Sequence, residues 1–123
     1  MPVKCEPPTE GRDKIAKWKK AMTFTPDLDE RAAILNLLGN ATRLRAFYVL
    51  DQLTECCVCD LAGILGVTQS AVSQHLSKFK AYGLVVARRD GQTLYYRIAS
   101  DKPEVMRFRR LAIEGIEGPH HDH

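Results

Sequence analysis

Three of the chain's four cysteines crowd into Cys56, Cys57 and Cys59, and the fourth, Cys5, stands near the N-terminus. Thiolates are soft ligands and strong nucleophiles, so such a cluster points to thiophilic metal binding or redox chemistry. Residues this close in sequence are poorly placed to bridge one another, which puts metal binding first. The surrounding segment, Thr54-Glu55-Cys56-Cys57-Val58-Cys59-Asp60-Leu61, reads as the start of a helix. Cys57 falls at its N-cap position, and Asp60, three residues on, is placed to complete a capping box. A thiol there meets the positive end of the helix dipole, which favours the thiolate. Cys57 and Cys59 converge if the helix begins between them, whereas Cys56 and Cys59 share a face if the segment is regular helix throughout. Two ligands leave a metal site incomplete. Cys5, on an N-terminal arm of this chain or of a second copy, is the candidate to complete it. Buried inert thiols are the plain alternative.

A second constellation lies between Gln69 and Tyr82, a segment with helical spacing. Val72, Leu76 and Phe79 form one stripe, while Ser70, Ser73, Gln74 and Ser77 lie nearly opposite. Small hydroxyls and an amide let a helix sit deep in a DNA major groove, and a glutamine can pair with an adenine edge. His75 borders the apolar stripe, as a buried histidine or a phosphate contact. Downstream, Arg88, Arg89, Gln92 and Arg97 cluster about a hairpin turned at Asp90-Gly91, with Val86, Tyr96 and Ile98 facing inward. An arginine-edged hairpin suits contact with phosphates or a narrow minor groove. Charged protection of an exposed sheet edge is the bland alternative.

The elements that position these groups follow from periodicity and breakers. Residues 1–11, with Pro2, Pro7, Pro8 and Gly11, read as a flexible arm. A helix is expected from Arg12 to Phe24, with Ile15, Trp18 and Met22 on one face. A second starts at Thr25-Pro26 and stops near Gly39, and Asn40 caps a third running to about Leu53. A short helix, Val58–Leu65, ends at Gly66 and leads through Val67-Thr68 into the Gln69–Tyr82 helix. The hairpin and a last helix from Pro103 to about Ile116 complete a domain at 12–117. Residues 118–123 read as a tail in which His120, His121 and His123 are candidates for a second, weaker metal site, a solvated histidine-rich end without fixed geometry being the preferred reading. The fold class expected is mainly α with a β-hairpin wing: a winged helix-turn-helix with flanking N- and C-terminal dimerisation helices. Ile15, Trp18, Met22, Val105, Phe108 and Ala112 are assigned to the subunit interface.

With 123 residues, 45% hydrophobic and 27% charged, the chain has the size and composition of one globular domain. Its net charge of +3 permits nucleic-acid binding without requiring it. No segment has the length to span a bilayer and no signal-peptide core opens the chain, so a cytoplasmic location without membrane contact is expected. No nucleophile with an acid or base partner is evident, and no enzyme activity is expected. A thiol oxidoreductase would need its Cys-x-x-Cys on a βαβ unit that the sequence around Cys56 and Cys59 lacks.

The blocks Asn40-Ala41-Thr42-Arg43-Leu44-Arg45, Glu55 to Leu61, Gln69-Ser70-Ala71-Val72-Ser73-Gln74-His75-Leu76 and Arg88-Arg89-Asp90-Gly91-Gln92 through Tyr95-Tyr96-Arg97 resemble the ArsR/SmtB repressors. The resemblance is colinear from about Leu35 to Ile98. It implies a homodimer that binds double-stranded operator DNA and leaves it on binding metal, with Cys57-Val58-Cys59 as the metal box. Three features depart from family patterns. Ala62 stands where arsenite sensors often carry a third cysteine, the N-terminal arm holds one cysteine instead of two, and Asp101 to Ile116 contains no histidine. These readings assign metal binding to Cys57, Cys59, Cys5 and Cys56. They assign DNA contact to Gln69, Ser70, Ser73, Gln74, His75, Arg88, Arg89 and Gln92. Cadmium, lead or zinc is the expected inducer. Trivalent arsenic or antimony, with Cys56 as third thiolate, is the alternative, as is a redox or persulfide switch on the same thiols.

Overall fold

The computed structural model describes residues 9–116, with side chains from Arg12 onward. Cys5 and His120, His121 and His123 lie outside the described residues. Six helices and a small sheet follow in order: α1 (Thr9–Ala21), α2 (Pro26–Leu38), α3 (Ala41–Leu53), β1 (Cys56–Cys57), α4 (Val58–Leu65), α5 (Gln69–Ala81), β2 (Val85–Asp90), β3 (Thr93–Ile98) and α6 (Pro103–Ile113). The chain divides into two compact units, residues 1–32 and 33–123.

In the first unit, α1 begins at Thr9, three residues before the expected start, directly after the Pro7-Pro8 pair of the sequence. It ends at Ala21 rather than Phe24, because the residue before Pro26 is driven out of the helical region and the intervening residues extend. Ile15, Trp18 and Met22 are 54%, 54% and 56% exposed. They lie on one stripe of a helix whose other faces carry Arg12, Lys14, Lys17 and Lys20.

The second unit holds the core. Phe47 of α3 and Phe79 of α5, both fully buried, meet edge to face with ring centroids 5.9 Å apart. Around them pack Leu50, Leu61, Val72, Leu76, Leu84 and Val85. Local chemistry fixes the helix ends. The Asn40 side chain accepts from the Arg43 backbone N–H, and Thr68 does the same for Ala71. Gly66 closes α4 in the left-handed conformation at φ +69°, as expected of a glycine at that position. Arg109 of α6 grips Asp51 of α3 through two bonds, Nε–Oδ1 3.0 Å and Nη2–Oδ2 3.1 Å, and also reaches Glu114. Val105 is 2% exposed and belongs to this core, so it is not available to a subunit interface. On the outer face of α6, Leu111 is 70% exposed instead.

The sheet differs from the sequence reading in three ways. It has three strands in the order β1-β3-β2, the extra one being the two-residue β1. Its hairpin turns at Gly91-Gln92, since Asp90 still pairs with Thr93. Only Gly91 of those two has positive φ, +64°, which fits a type II′ turn with glycine first rather than a turn that needs positive φ at both places. Finally, Val85, paired with Ile98, takes the fully buried inward place, and Val86, paired with Arg97, is only half-buried on the other face.

Candidate metal centre and nucleic-acid interface

The cysteine segment enters the sheet through a tight turn. Thr54, with φ 71° and ψ −50°, is the one non-glycine residue of positive φ among those described, and the Glu55 N–H bonds to the Leu53 carbonyl at 2.8 Å. That is a γ-turn of the rarer, strained hand, unusual for a β-branched residue. It swings the chain from α3 into β1, where Cys56 faces Tyr96 and Cys57 faces Tyr95 across the ladder. Strand alternation then separates the two neighbouring thiols. Cys56 falls on the core side with Tyr96 and Ala87, and Cys57 on the other side with Tyr95 and Arg88.

Cys56 is 4% exposed and its thiol donates to the Cys57 carbonyl at 3.4 Å. Burial pushes its pKa up, as do the neighbouring Cys57 and Asp60. A thiol held protonated in a core is a poor metal ligand. Cys57 is half-buried at the N-cap of α4 and Cys59 is exposed in its first turn. The Cys57 side chain makes no capping hydrogen bond, so the capping box expected with Asp60 is not formed and the thiol is left free for other partners. All three neighbouring cysteines, Cys56, Cys57 and Cys59, line one open cavity of ≈ 450 Å³ together with Glu55, Asp60, Ile64 and Tyr95, Cys56 being the buried one. Among the described residues no three metal-ligating side chains converge. The two accessible thiols on this cavity, Cys57 and Cys59, fit a soft cation, with a third donor required besides them. In the native protein, iodoacetamide should label Cys59 first and Cys57 next, while Cys56 reacts only after unfolding. Peptide mapping that finds Cys56 labelled as fast as Cys59 would contradict this burial.

A second exposed surface of the unit is built on α5. Its stripe of Val72, Leu76 and Phe79 is fully buried against α3 and α4, leaving Gln69, Ser70, Ser73, Gln74 and Ser77 exposed on one polar face. α4, the Gly66 turn and α5 form the helix-turn-helix, and β2–β3 is the wing. His75 sits between the two faces, half-buried, its Nδ1 enclosed without a hydrogen-bond partner among the described residues. Burial first, then Arg43 and Lys78, lower its pKa, so the ring is uncharged at neutral pH and offers phosphate no cation. On the wing, Arg89 and Gln92 are exposed. Arg88 is engaged instead: it bonds Glu55 at 2.6 Å and 3.3 Å, and its guanidinium lies 4.9 Å from the Tyr95 ring centroid. The β1 strand and the Glu55–Arg88 pair were both missed from sequence. Two residues are too few for a strand signal, although the β-branched Val58 after two cysteines hinted at extended chain.

A buried helix-turn-helix with an exposed small-polar face and an adjoining hairpin defines a winged-helix DNA-binding protein. Comparison with known proteins narrows this. The family described as "Bacterial regulatory protein, arsR family" matches residues 40–86. The cadmium resistance transcriptional regulatory protein CadC of Listeria innocua is 33% identical over 100 residues, covering 80% of this chain and 82% of that protein. The nodulation protein NolR of Rhizobium meliloti is 46% identical over 77 residues, 61% of either chain, so the match spans about three fifths of that relative. The solution structure of the homodimeric winged helix-turn-helix domain Mb0332 from Mycobacterium bovis superposes with a TM-score of 0.60 at 33% identity, covering 83% of this chain and all of that one. The chain belongs to the ArsR family. The family and the relatives it brings are transcriptional regulators. Among the described residues, no helix is long and apolar enough to cross a membrane.

Proposed function

We propose that the chain is a homodimeric repressor that binds a two-fold symmetric operator and releases it when a thiophilic metal ion, cadmium, lead or zinc, is held at Cys57 and Cys59. The observation that carries this reading is the cavity on which those two accessible thiols meet, Cys57 on a strand paired directly to the wing and Cys59 in the first turn of α4. Bound there, the ion would supply a strong thiolate-bound positive charge. Cys57 and Cys59 would hold it, and Cys5 is assigned as the third thiolate. Cys56, buried and protonated, is left out, which weighs against a trivalent arsenic or antimony site built on three neighbouring thiols. A redox or persulfide switch on Cys57 and Cys59 differs in being reversed by reductant instead of by a chelator. The histidines of the tail are not needed.

The dimer is assigned to two apolar surfaces. One is the stripe of Ile15 and Trp18 of α1 with Met22 just past its end; the other surrounds Leu111, where Leu35, Phe108 and Ala112 border an apolar cavity of ≈ 160 Å³. DNA contact is assigned to Gln69, Ser70, Ser73 and Gln74 in the major groove and to Arg89 and Gln92 of the wing. Gln74→Ala should erase much of the preference for operator over scrambled duplex, roughly 1–3 kcal/mol for a lost bidentate base contact. Arg89→Ala should weaken binding to all sequences and lower the salt slope by about 1. Equal affinity of the wild type for operator and scrambled duplex at physiological salt would overturn the reading.

A further inference from the structure

Glu55 and Arg88 stand where the cysteine cavity meets the wing. Glu55 and Tyr95 line the cavity that Cys57 and Cys59 share, and Glu55 directly precedes the two-residue strand that ends in Cys57. Its carboxylate holds Arg88 in two bonds, 2.6 Å and 3.3 Å, and that arginine lies over the ring of Tyr95. Cys57, Tyr95 and Arg88 are successive partners across the three strands. On both sides the clamp reaches parts of the molecule with opposite duties: cavity wall on one, DNA-facing hairpin on the other.

We propose that the Glu55–Arg88 pair is a latch that holds the wing in its DNA-binding orientation, and that occupation of the Cys57/Cys59 cavity lowers operator affinity by opening it. Glu55 is thus a positioning residue for the wing, acting through Arg88 and touching neither DNA nor any reacting atom. The proposal rests on the assignment of Cys57 and Cys59 as the effector site. β1 is pinned by only two ladder pairs, Cys56–Tyr96 and Cys57–Tyr95. A pull on the Cys57 thiol is therefore carried by the adjoining peptide to Glu55, two residues away on the same side of the strand. The γ-turn at Thr54 lies immediately behind Glu55 and is the strained joint about which the segment can move. Because the pair is largely exposed, its grip is modest, and its effect on DNA binding is set by how much wing orientation it removes from the free protein's ensemble.

The sign of one substitution separates the latch from plain charge effects. Removing a negative charge from a DNA-binding protein strengthens its association with DNA if nothing else changes. Glu55→Gln, which keeps the shape and loses the charge, is expected to do the opposite. Metal-free full-length protein carrying it should bind operator about two- to fivefold more weakly by fluorescence anisotropy. Cadmium should then weaken binding much less than in the wild type. The exchange Glu55→Arg with Arg88→Glu rebuilds the pair with its charges reversed. It should restore metal-free affinity to near the wild-type value while leaving a cation facing the cysteine cavity and no cadmium response. Unchanged or tighter binding by Glu55→Gln overturns the latch. Failure of the exchange to recover affinity also overturns it, since Arg88 would then be acting on DNA itself. Cys59→Ser tests the underlying assignment separately: a cadmium response that persists in that variant removes the sensor site, whereas the metal-free affinities judge the latch alone.

Discussion

A chain carrying Cys59→Ser is expected to bind its operator as the wild type does and to stay bound at cadmium concentrations that release the wild type. Cys59 is exposed in the first turn of α4 and outside the buried core, so its sulfur contributes little to folding. What it contributes is a ligand. An effector shifts the DNA equilibrium only by binding the two states unequally, and coupling of about 1–3 kcal/mol corresponds to roughly 5- to 150-fold in affinity. Losing one of the two proposed ligands removes most of that differential. The reciprocal measurement is equally telling, because operator DNA should weaken cadmium binding to the wild type by the same factor. Titration of thiolate-to-metal charge-transfer absorbance with and without duplex reads it directly. If Cys59→Ser is released at the wild-type cadmium concentration, the site lies elsewhere and His120, His121 and His123 become the residues to remove next.

The second large effect is on stability. Phe79→Ala deletes a fully buried ring from the back of α5, where it meets Phe47 at 5.9 Å. Truncations of this kind cost about 3–5 kcal/mol, which for a unit of this size lowers the melting temperature by more than about 10 °C. Gln74→Ala, on the exposed face of the same helix, should leave the melting temperature nearly unchanged while degrading sequence preference. Two positions of one helix would then divide along the line between core and groove. Comparable melting temperatures for Phe79→Ala and the wild type in thermal unfolding would show that α5 does not depend on this contact.

The helices were legible because each carries its own punctuation. Asn40, Thr68 and Gly66 act within a turn of where they stand, and Val72, Leu76 and Phe79 repeat at the period of the helix they bury. Polarity of the α5 face could be read for the same reason. The cysteine segment was harder. Spacing alone left Cys56 and Cys57 equally eligible as ligands, and what separates them is a strand pairing with Tyr95 and Tyr96, some forty residues away. Sequence neighbours tell nothing about such a partner. The same holds for Arg88, whose place in the wing was visible but whose engagement by Glu55 depends on a contact between residues 33 apart. Val105 was misplaced because an apolar residue on a terminal helix serves a core or an interface equally well until the packing is known. The hairpin turn moved by one residue because glycine satisfies either of two turn types, at the first position or the second.

The two-residue length of β1 also restricts how this segment can change over generations of sequence drift. In a strand, each added or deleted residue turns every following side chain to the opposite surface. One residue inserted between Thr54 and Cys56 would exchange the strand faces of the two thiols, turning Cys57 to the core side and Cys56 to the side of Tyr95 and Arg88 unless the helix boundary moved with it. An insertion of two would keep the parity but lengthen the span between the end of α3 and the start of α4, which only Thr54 and Glu55 with β1 now bridge. Length variation is thus more damaging here than substitution. The loop between α1 and α2, whose residues are exposed and outside any ladder, carries no such parity and can lengthen freely.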